Sequence, residues 1–401
     1  LYIDSDVLSE ARNRVSATFD EFEKVYVSFS GGKDSTVMLD IVATEARLRG
    51  RRFGLLFVDL EAQYTATIAF AESRFAAYAD VADPFWVALP LSLRNAVSVL
   101  EHKWTCWDHR AKDRWVRNPP HFAITDESHY DWFRHGMEFE DFIVEWAKWY
   151  SGRCFTACLV GIRTDESINR FRTIMSDTKG THGGKPWSTQ VPGTNVYNVY
   201  PIYDWSTADI WTYHAKMRVP YNPVYDMMHA AGLSPSQMRI CQPYGDDQRR
   251  GLWLYHVLEP DTWTRVVARV AGANFGAESS RARGNINGVG RVQLPEGHTW
   301  QSYATMLVES MPPHMAEHYR TKIGVFLRWY ADKGGYADGI PDEADRTDEA
   351  EKRAPSWRRV CKAILRNDYW CKSLGFSQHK SGAYESYLQR MRDRRMQWAT
   401  S

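Results

Sequence analysis

The chain has 401 residues, with 50 basic against 49 acidic side chains, a formal charge of +1 and 44% hydrophobic residues. That balance carries no net-charge signature of a nucleic-acid partner, and the length allows one large core or two smaller ones. No apolar run reaches transmembrane length, no signal peptide is visible, and six scattered cysteines form no disulfide framework, so a cytoplasmic protein without a membrane span is expected.

Residues 25–29 alternate and β-branch as a strand does, with Val25 and Val27 on one side of the alternation. Ser30, Gly31, Gly32, Lys33, Asp34 and Ser35 follow, and residues 35–48 read as a helix stopped by Gly50. A second strand, 53–58, ends at Asp59, completing a βαβ unit whose two apolar strands suit a buried parallel sheet. Residues 84–89 read as another strand. In the run 103–115, basic residues interleave with Trp104, Trp107 and Trp115; such interleaving suits single-stranded nucleic acid or the snorkelling surface of a Trp-rich helix, and the second reading is preferred. Phe139, Phe142, Ile143 and Trp146 recur at helical spacing, as a packed core face does. Residues 158–162 read as a strand leading into a polar loop. Helices dominate from Ser206, strand signal fades after Leu233, and 338–353 reads as a solvated, charged loop between helices.

The chemistry concentrates at strand ends. A strand, a glycine turn and a helix N-terminus make an anion site: Gly31 and Gly32 let the backbone approach phosphate, and the first helical N–H groups lack intrahelical partners. Lys33 adds a point charge, and Ser30 and Ser35 add hydroxyl donors. The loop is not a Walker A loop, because its glycines are adjacent instead of separated by four residues from a Gly-Lys pair. The second polar loop holds Gly161, Arg163, Asp165, Glu166 and Ser167, with Arg170 and Arg172 downstream. Arginines there suit phosphate, or equally a helix start with Asp165 and Glu166 as their partners; spacing does not decide. Among the cysteines, Cys154 and Cys158 read as structural, and Cys241 stands in a polar, arginine-rich run.

The run 30–35 resembles the SGGxDS loop of the PP-loop ATP pyrophosphatases, the superfamily of phosphoadenylylsulfate (PAPS) reductases, ATP sulfurylase small subunits, and tRNA and DNA thiolation enzymes. Residues 161–167 are similar to the GxRxxES segment of PAPS reductase-like proteins. Pro201, Asp204, Trp205, Asp209, Ile210 and Trp211, followed by Pro220, Tyr221, Asn222, Pro223, Tyr225 and Asp226, look like that family's PI-x-DW-x-x-x-DIW … PYNPLYD segment, taken here as scaffold. The resemblance implies a doubly wound parallel α/β sheet over a nucleotide-binding domain at 1–232, then a mainly helical domain at 233–401. It implies ATP with Mg2+ as ligand, cleavage between the α and β phosphates, and transfer of AMP to an acceptor. The implied catalytic residues are Lys33 with the loop amides on the departing phosphates, Arg163 steadying charge, and Asp34 on Mg2+ or on the attacking substrate. The implied nucleotide contacts are Ser28, Ser30, Gly31, Gly32, Lys33, Asp34, Ser35, Gly161, Arg163 and Arg170, with Asp59, ahead of Glu61, toward the ribose or base.

The family's C-terminal Glu-Cys-Gly-x-His motif and its cluster-binding Cys-Cys and Cys-x-x-Cys pairs do not occur in this sequence, so neither PAPS reduction nor an iron–sulfur cluster is expected. Residues 238–276 resemble the IbrA-type PAPS reductase-like proteins of bacteria, phages and prophages. That likeness implies a C-terminal domain of unknown function and a ParB/sulfiredoxin-like protein partner in gene regulation or phage conflict. Two other readings stay open: an ATP-sensing regulatory subunit, and a sulfur-transfer enzyme acting on nucleic acid.

Overall fold

The computed structural model describes residues 5–98, 101–176, 179–235, 237–245, 252–270, 273, 292–366 and 368–375. Two compact units separate: Leu1–Asn95 with Lys103–Ala277, and Ala96–His102 with Glu278–Ser401.

The first unit runs in chain order through α1 (Val7–Glu21), β1 (Lys24–Ser28), α2 (Lys33–Arg49), β2 (Phe53–Val58), α3 (Thr65–Ala77), β3 (Ala82–Val87), β4 (Ser92–Arg94), β5 (Lys103–Thr105), α4 (Phe139–Ser151), β6 (Thr156–Val160), α5 (Ile168–Ile174), β7 (Ser188–Gln190), β8 (Val196–Val199), α6 (Thr207–Met217), α7 (Val224–Ala230), α8 (Trp253–Leu258) and α9 (Pro260–Arg269). Six strands form one sheet in the order β3-β2-β1-β6-β8-β7, parallel except for the β7–β8 pair. The middle of β1 is buried on both faces, as its apolar residues require. From β1 the chain builds outward to β2 and β3, then returns to lay β6 on the other side of β1, with Ser28 level with both Leu56 and Val160. The order reverses between β1 and β6; open α/β sheets bind ligands outside the carboxyl ends of the strands at such a switch point. The 103–115 stretch is strand and 3-10 turn rather than a helix: Trp104 lies on β5, and Trp104 and Trp107 are buried.

The second unit is helical among its described residues: α10 (Trp300–Glu309), α11 (Pro313–Asp332), α12 (Arg346–Ala350) and α13 (Trp357–Leu365), packed on Met315, Tyr319, Phe326 and Val360. The charged run 338–353 is not wholly a loop, because Asp345 accepts from Thr347 N at 2.8 Å and starts α12. Among the described residues no helix is long and apolar enough to cross a membrane.

Candidate functional site

β1 delivers the chain into the loop that opens α2. Gly31 has φ +74°, and a Cβ there would also lie 3.1 Å from Thr67 Cγ2, so both backbone and space call for glycine. Gly32 is the N-cap and has no side chain to cap with. Its carbonyl instead accepts from Thr36 Oγ1 at 2.8 Å and Ser35 Oγ at 3.1 Å. The Ser30 and Ser35 hydroxyl oxygens lie 3.0 Å apart, so the two predicted donors sit side by side.

The loop after β6 closes against this turn. A Cβ on Gly161 would come within 2.9 Å of Ser35 N and 3.0 Å of Asp34 O, so only glycine admits the approach. That contact carries Arg163 to Asp34, with Nε 2.5 Å from Oδ1, while Lys33 Nζ donates to Oδ2 at 3.0 Å. Arg163 is 2% exposed and also donates to the Trp205 carbonyl at 3.2 Å and to Thr207 Oγ1 at 3.3 Å. Arg163 is also met by its own loop, with Nη1 3.3 Å from Asp165 Oδ2 and Nη2 3.8 Å from Glu166 Oε1. What favours an anion here is therefore the helix N-terminus with Lys33 and Arg163 beside it, rather than an excess of charge. Arg170 goes elsewhere: it pairs with Glu166. Both arginines meet the loop's own acids, Arg163 with Asp165 and Arg170 with Glu166, and Arg163 alone also reaches Asp34.

The segment taken as scaffold moulds the loop. Asn222, fully buried, donates from Nδ2 to the Gly31 carbonyl and to Thr67 Oγ1, each at 3.0 Å, and accepts from Val224 N at 3.0 Å. The His214 ring nitrogens lie 3.1 Å from Lys33 O and 3.0 Å from Val219 O. Lys33 N donates to Tyr225 Oη at 3.1 Å. One helical N–H expected to face an anion is therefore engaged by a tyrosine. Burial pushes the Tyr225 phenol well up, so it stays protonated.

Asp59 and Glu61 lie in a different environment. Asp59 is fully buried and accepts from Trp86 Nε1 at 2.9 Å, from Glu61 N at 3.0 Å and from Arg117. Glu61, also fully buried at φ +64°, accepts from Arg269 Nε at 2.7 Å and Nη2 at 3.1 Å, from Trp107 N at 2.7 Å and from Val116 N at 3.1 Å. The Arg117 guanidinium lies over the Trp107 ring and that of Arg269 over Trp104, each at 5.2 Å. Trp104 and Trp107 of the basic–aromatic stretch are platforms for the chain's own arginines, and Trp115 for Lys112. The Asp59 carboxylate is thus not open to a ribose or base; the contact expected of it requires the Arg117 pair to break.

Among the described residues no group of three or more His, Cys, Asp or Glu side chains is arranged to hold a metal ion. Mg2+ bound to a nucleotide is commonly held by one or two carboxylates with phosphate oxygens and water completing its shell. Asp34, beside the loop, has Oδ1 on Arg163 and Oδ2 on Lys33, so it would take up such an ion only by giving up one of these partners.

A doubly wound sheet with a glycine–serine loop at its switch point defines an α/β protein of the PP-loop type. The chain belongs to the phosphoadenosine phosphosulfate reductase domain family, whose profile matches residues 24–231, and the Domain of unknown function (DUF3440) matches 232–340 and 337–384. It is 44% identical to "Uncharacterized protein YbdN" of Escherichia coli (strain K12) over 98% of this chain and 96% of that one. It is 25% identical to adenosine 5'-phosphosulfate reductase of Allochromatium vinosum over 27% of this chain and 36% of that one. Its fold is similar to that of a PAPS reductase from Candida auris, with 15% identity and a TM-score of 0.32, covering 55% of this chain and 85% of that one.

The family boundary and the structural one differ. Residues beyond 231 stay with the first unit through Glu259, which accepts from Thr65 N at 2.9 Å and Ala66 N at 3.1 Å and so caps α3, and through Arg269 on Glu61. Sequence reasoning missed Glu259, Arg269 and Arg117 as partners. The only signal was a charge able to meet an acid at a strand end, and nothing in the spacing ties residue 269 to residue 61.

Proposed function

We propose that the chain binds ATP with Mg2+ at the 30–35 loop, cleaves it between the α and β phosphates, and passes AMP to an acceptor. The observation that carries this reading is the Lys33–Asp34–Arg163 cluster, set at the N-terminus of α2 and at the switch point of the sheet. Lys33 and the Ser30 and Ser35 hydroxyls hold the departing phosphates, Arg163 steadies the charge that develops on them, and the glycines admit the phosphate close to the backbone. Asp34 is the residue that would hold Mg2+, which supplies charge compensation for the pyrophosphate. Catalysis of this kind rests on positioning, and no side chain of the cluster is assigned as a general base. Cytoplasmic location and a ParB/sulfiredoxin-like partner belong to the same proposal.

Product analysis tests it. With Mg2+ and α- or γ-labelled ATP, the wild type yields AMP and pyrophosphate and Lys33→Ala does not. ADP and phosphate as products would overturn the assignment. Lys33-dependent binding without turnover would point to an ATP sensor, a role suited by a loop whose acid is already neutralised by its own lysine and arginine.

A further inference from the structure

Residues 238–244, which lie beyond the reductase-domain match, cross the carboxyl edge of the sheet. Arg239 Nη2 donates to the Glu166 carbonyl at 3.3 Å on the β6 side, and Gln242 Nε2 donates to the Arg94 carbonyl at 3.5 Å at the end of β4. Tyr244, buried, donates from its hydroxyl to Val266 O at 2.8 Å and fixes the far end. Cys241 lies between the two anchors and is half-buried. It lies within electrostatic range of three tyrosines: Tyr225, which accepts from Lys33 N, and the stacked pair Tyr64–Tyr255, whose ring centroids are 3.9 Å apart. A second observation points to a polar occupant here: the Tyr64 hydroxyl, on a residue 0% exposed, has no hydrogen-bond partner. Buried hydroxyls are normally satisfied, and this orphan marks a place where a ligand or an ordered water supplies the partner.

Four of the other cysteines are shut away. Cys106, Cys158, Cys361 and Cys371 are buried, and burial holds their thiols up, to about 12 for the last three. Such thiols are inert. Cys154, half-buried, precedes β6 at the amino end of the strands, away from the loops.

We propose that Cys241 is a modification site on the rim of the nucleotide site, open to soft carbon electrophiles, and that a modified Cys241 and a bound nucleotide exclude one another. The inference rests on the nucleotide reading above. In the step itself the sulfur adds to an electrophilic alkene carbon, the S–C bond forms as the π pair moves to the neighbouring carbon, and that carbon takes up the thiol proton; nothing leaves. Exclusion is reciprocal by linkage, so nucleotide slows modification and modification weakens nucleotide binding.

The test is N-ethylmaleimide labelling of the full chain, followed site by site by peptide mass spectrometry, with ATP binding measured separately by calorimetry. At an ATP concentration about ten times its Kd, labelling of Cys241 slows about tenfold, while labelling of Cys154 is unchanged. Prior labelling abolishes ATP binding in the wild type but not in Cys241→Ser, which binds ATP normally and unfolds at the wild-type temperature. ATP that binds without protecting Cys241, or a Cys241 that does not label, overturns the assignment and leaves the nucleotide reading intact. No ATP binding in calorimetry fails the nucleotide reading, and the exclusion falls with it.

Discussion

Acids that follow two neighbouring parallel strands have opposite fates. Asp34 follows β1 through a glycine loop and keeps company with Lys33 and Arg163 at the N-terminus of a long helix. Asp59 and Glu61 follow β2, fully buried, and are closed by Trp86, Arg117, Arg269 and backbone amides. The difference lies in what the rest of the chain brings. At the first place Lys33 and Arg163 share the Asp34 carboxylate at a helix N-terminus, whose dipole favours an anion, and the other acids that meet Arg163 come from its own loop. At the second, two arginines meet two carboxylates and the charges cancel. An acid at the carboxyl end of a parallel strand is therefore a ligand candidate only until the chain's own arginines are placed.

The largest expected effect comes from breaking the closed pair. Arg269→Met strands the Glu61 carboxylate in the interior and should destabilise the first unit by roughly 3–5 kcal/mol, read as a fall in its denaturation midpoint. Pairing it with Glu61→Gln should restore part of the loss, and additive losses would refute the coupling. Next is Asn222→Ala, which orphans the Gly31 carbonyl and Thr67 hydroxyl at a cost of about 1–3 kcal/mol and weakens ATP binding in titration. Unchanged affinity would show that Asn222 does not shape the loop. Glu259→Ala should cost about 1 kcal/mol, the value of a lost N-cap, visible as faster amide exchange at Thr65 and Ala66 with the 30–35 loop unaffected.

The smallest effect lies in the second unit and supplies a reference for buried carboxylates held by cations. Burial works against ionisation of Glu349, but hydrogen bonds from Ser356, Arg358 and Lys362 outweigh it and hold its pKa below the ordinary 4.5. A depressed folded-state pKa contributes stability that is fully present above about 4.5 and lost as pH falls toward the lowered value. Glu349→Gln should therefore unfold earlier than wild type at pH 7, with the two converging as pH drops below 4.5. A constant gap across that range would contradict the pairing.

Much of the first unit was legible in the sequence. Strands 25–29 and 53–58 and helix 35–48 lie within two residues of β1, β2 and α2, because buried parallel strands and a glycine-stopped helix leave strong patterns. Residues 30–35 and Arg163 come together, with Arg163 on Asp34, whereas Arg170 and Asp59 pair elsewhere. What stayed hidden was pairing across long separations: Tyr225 on Lys33, Asn222 on Gly31, Arg117 on Asp59 and Arg269 on Glu61. Hydrophobic period and turn chemistry are local quantities, and none of them says which arginine a strand-end acid will meet. α1 escaped for a related reason: its buried stripe is thin, Ala11, Val15 and Phe19 among polar residues, and its packing on the sheet core defines it.

The central claim is that the first acid cluster serves a nucleotide and the second serves the fold. The most direct measurement is ATP affinity and unfolding midpoint determined together for Lys33→Ala and Asp59→Asn. The account predicts that Lys33→Ala loses ATP affinity by about 10–100-fold, as for a lost charge-assisted hydrogen bond, at an unchanged midpoint. Asp59→Asn should lower the midpoint while the folded protein still binds ATP. Retained ATP affinity in Lys33→Ala, or lost affinity at an unchanged midpoint in Asp59→Asn, would contradict it.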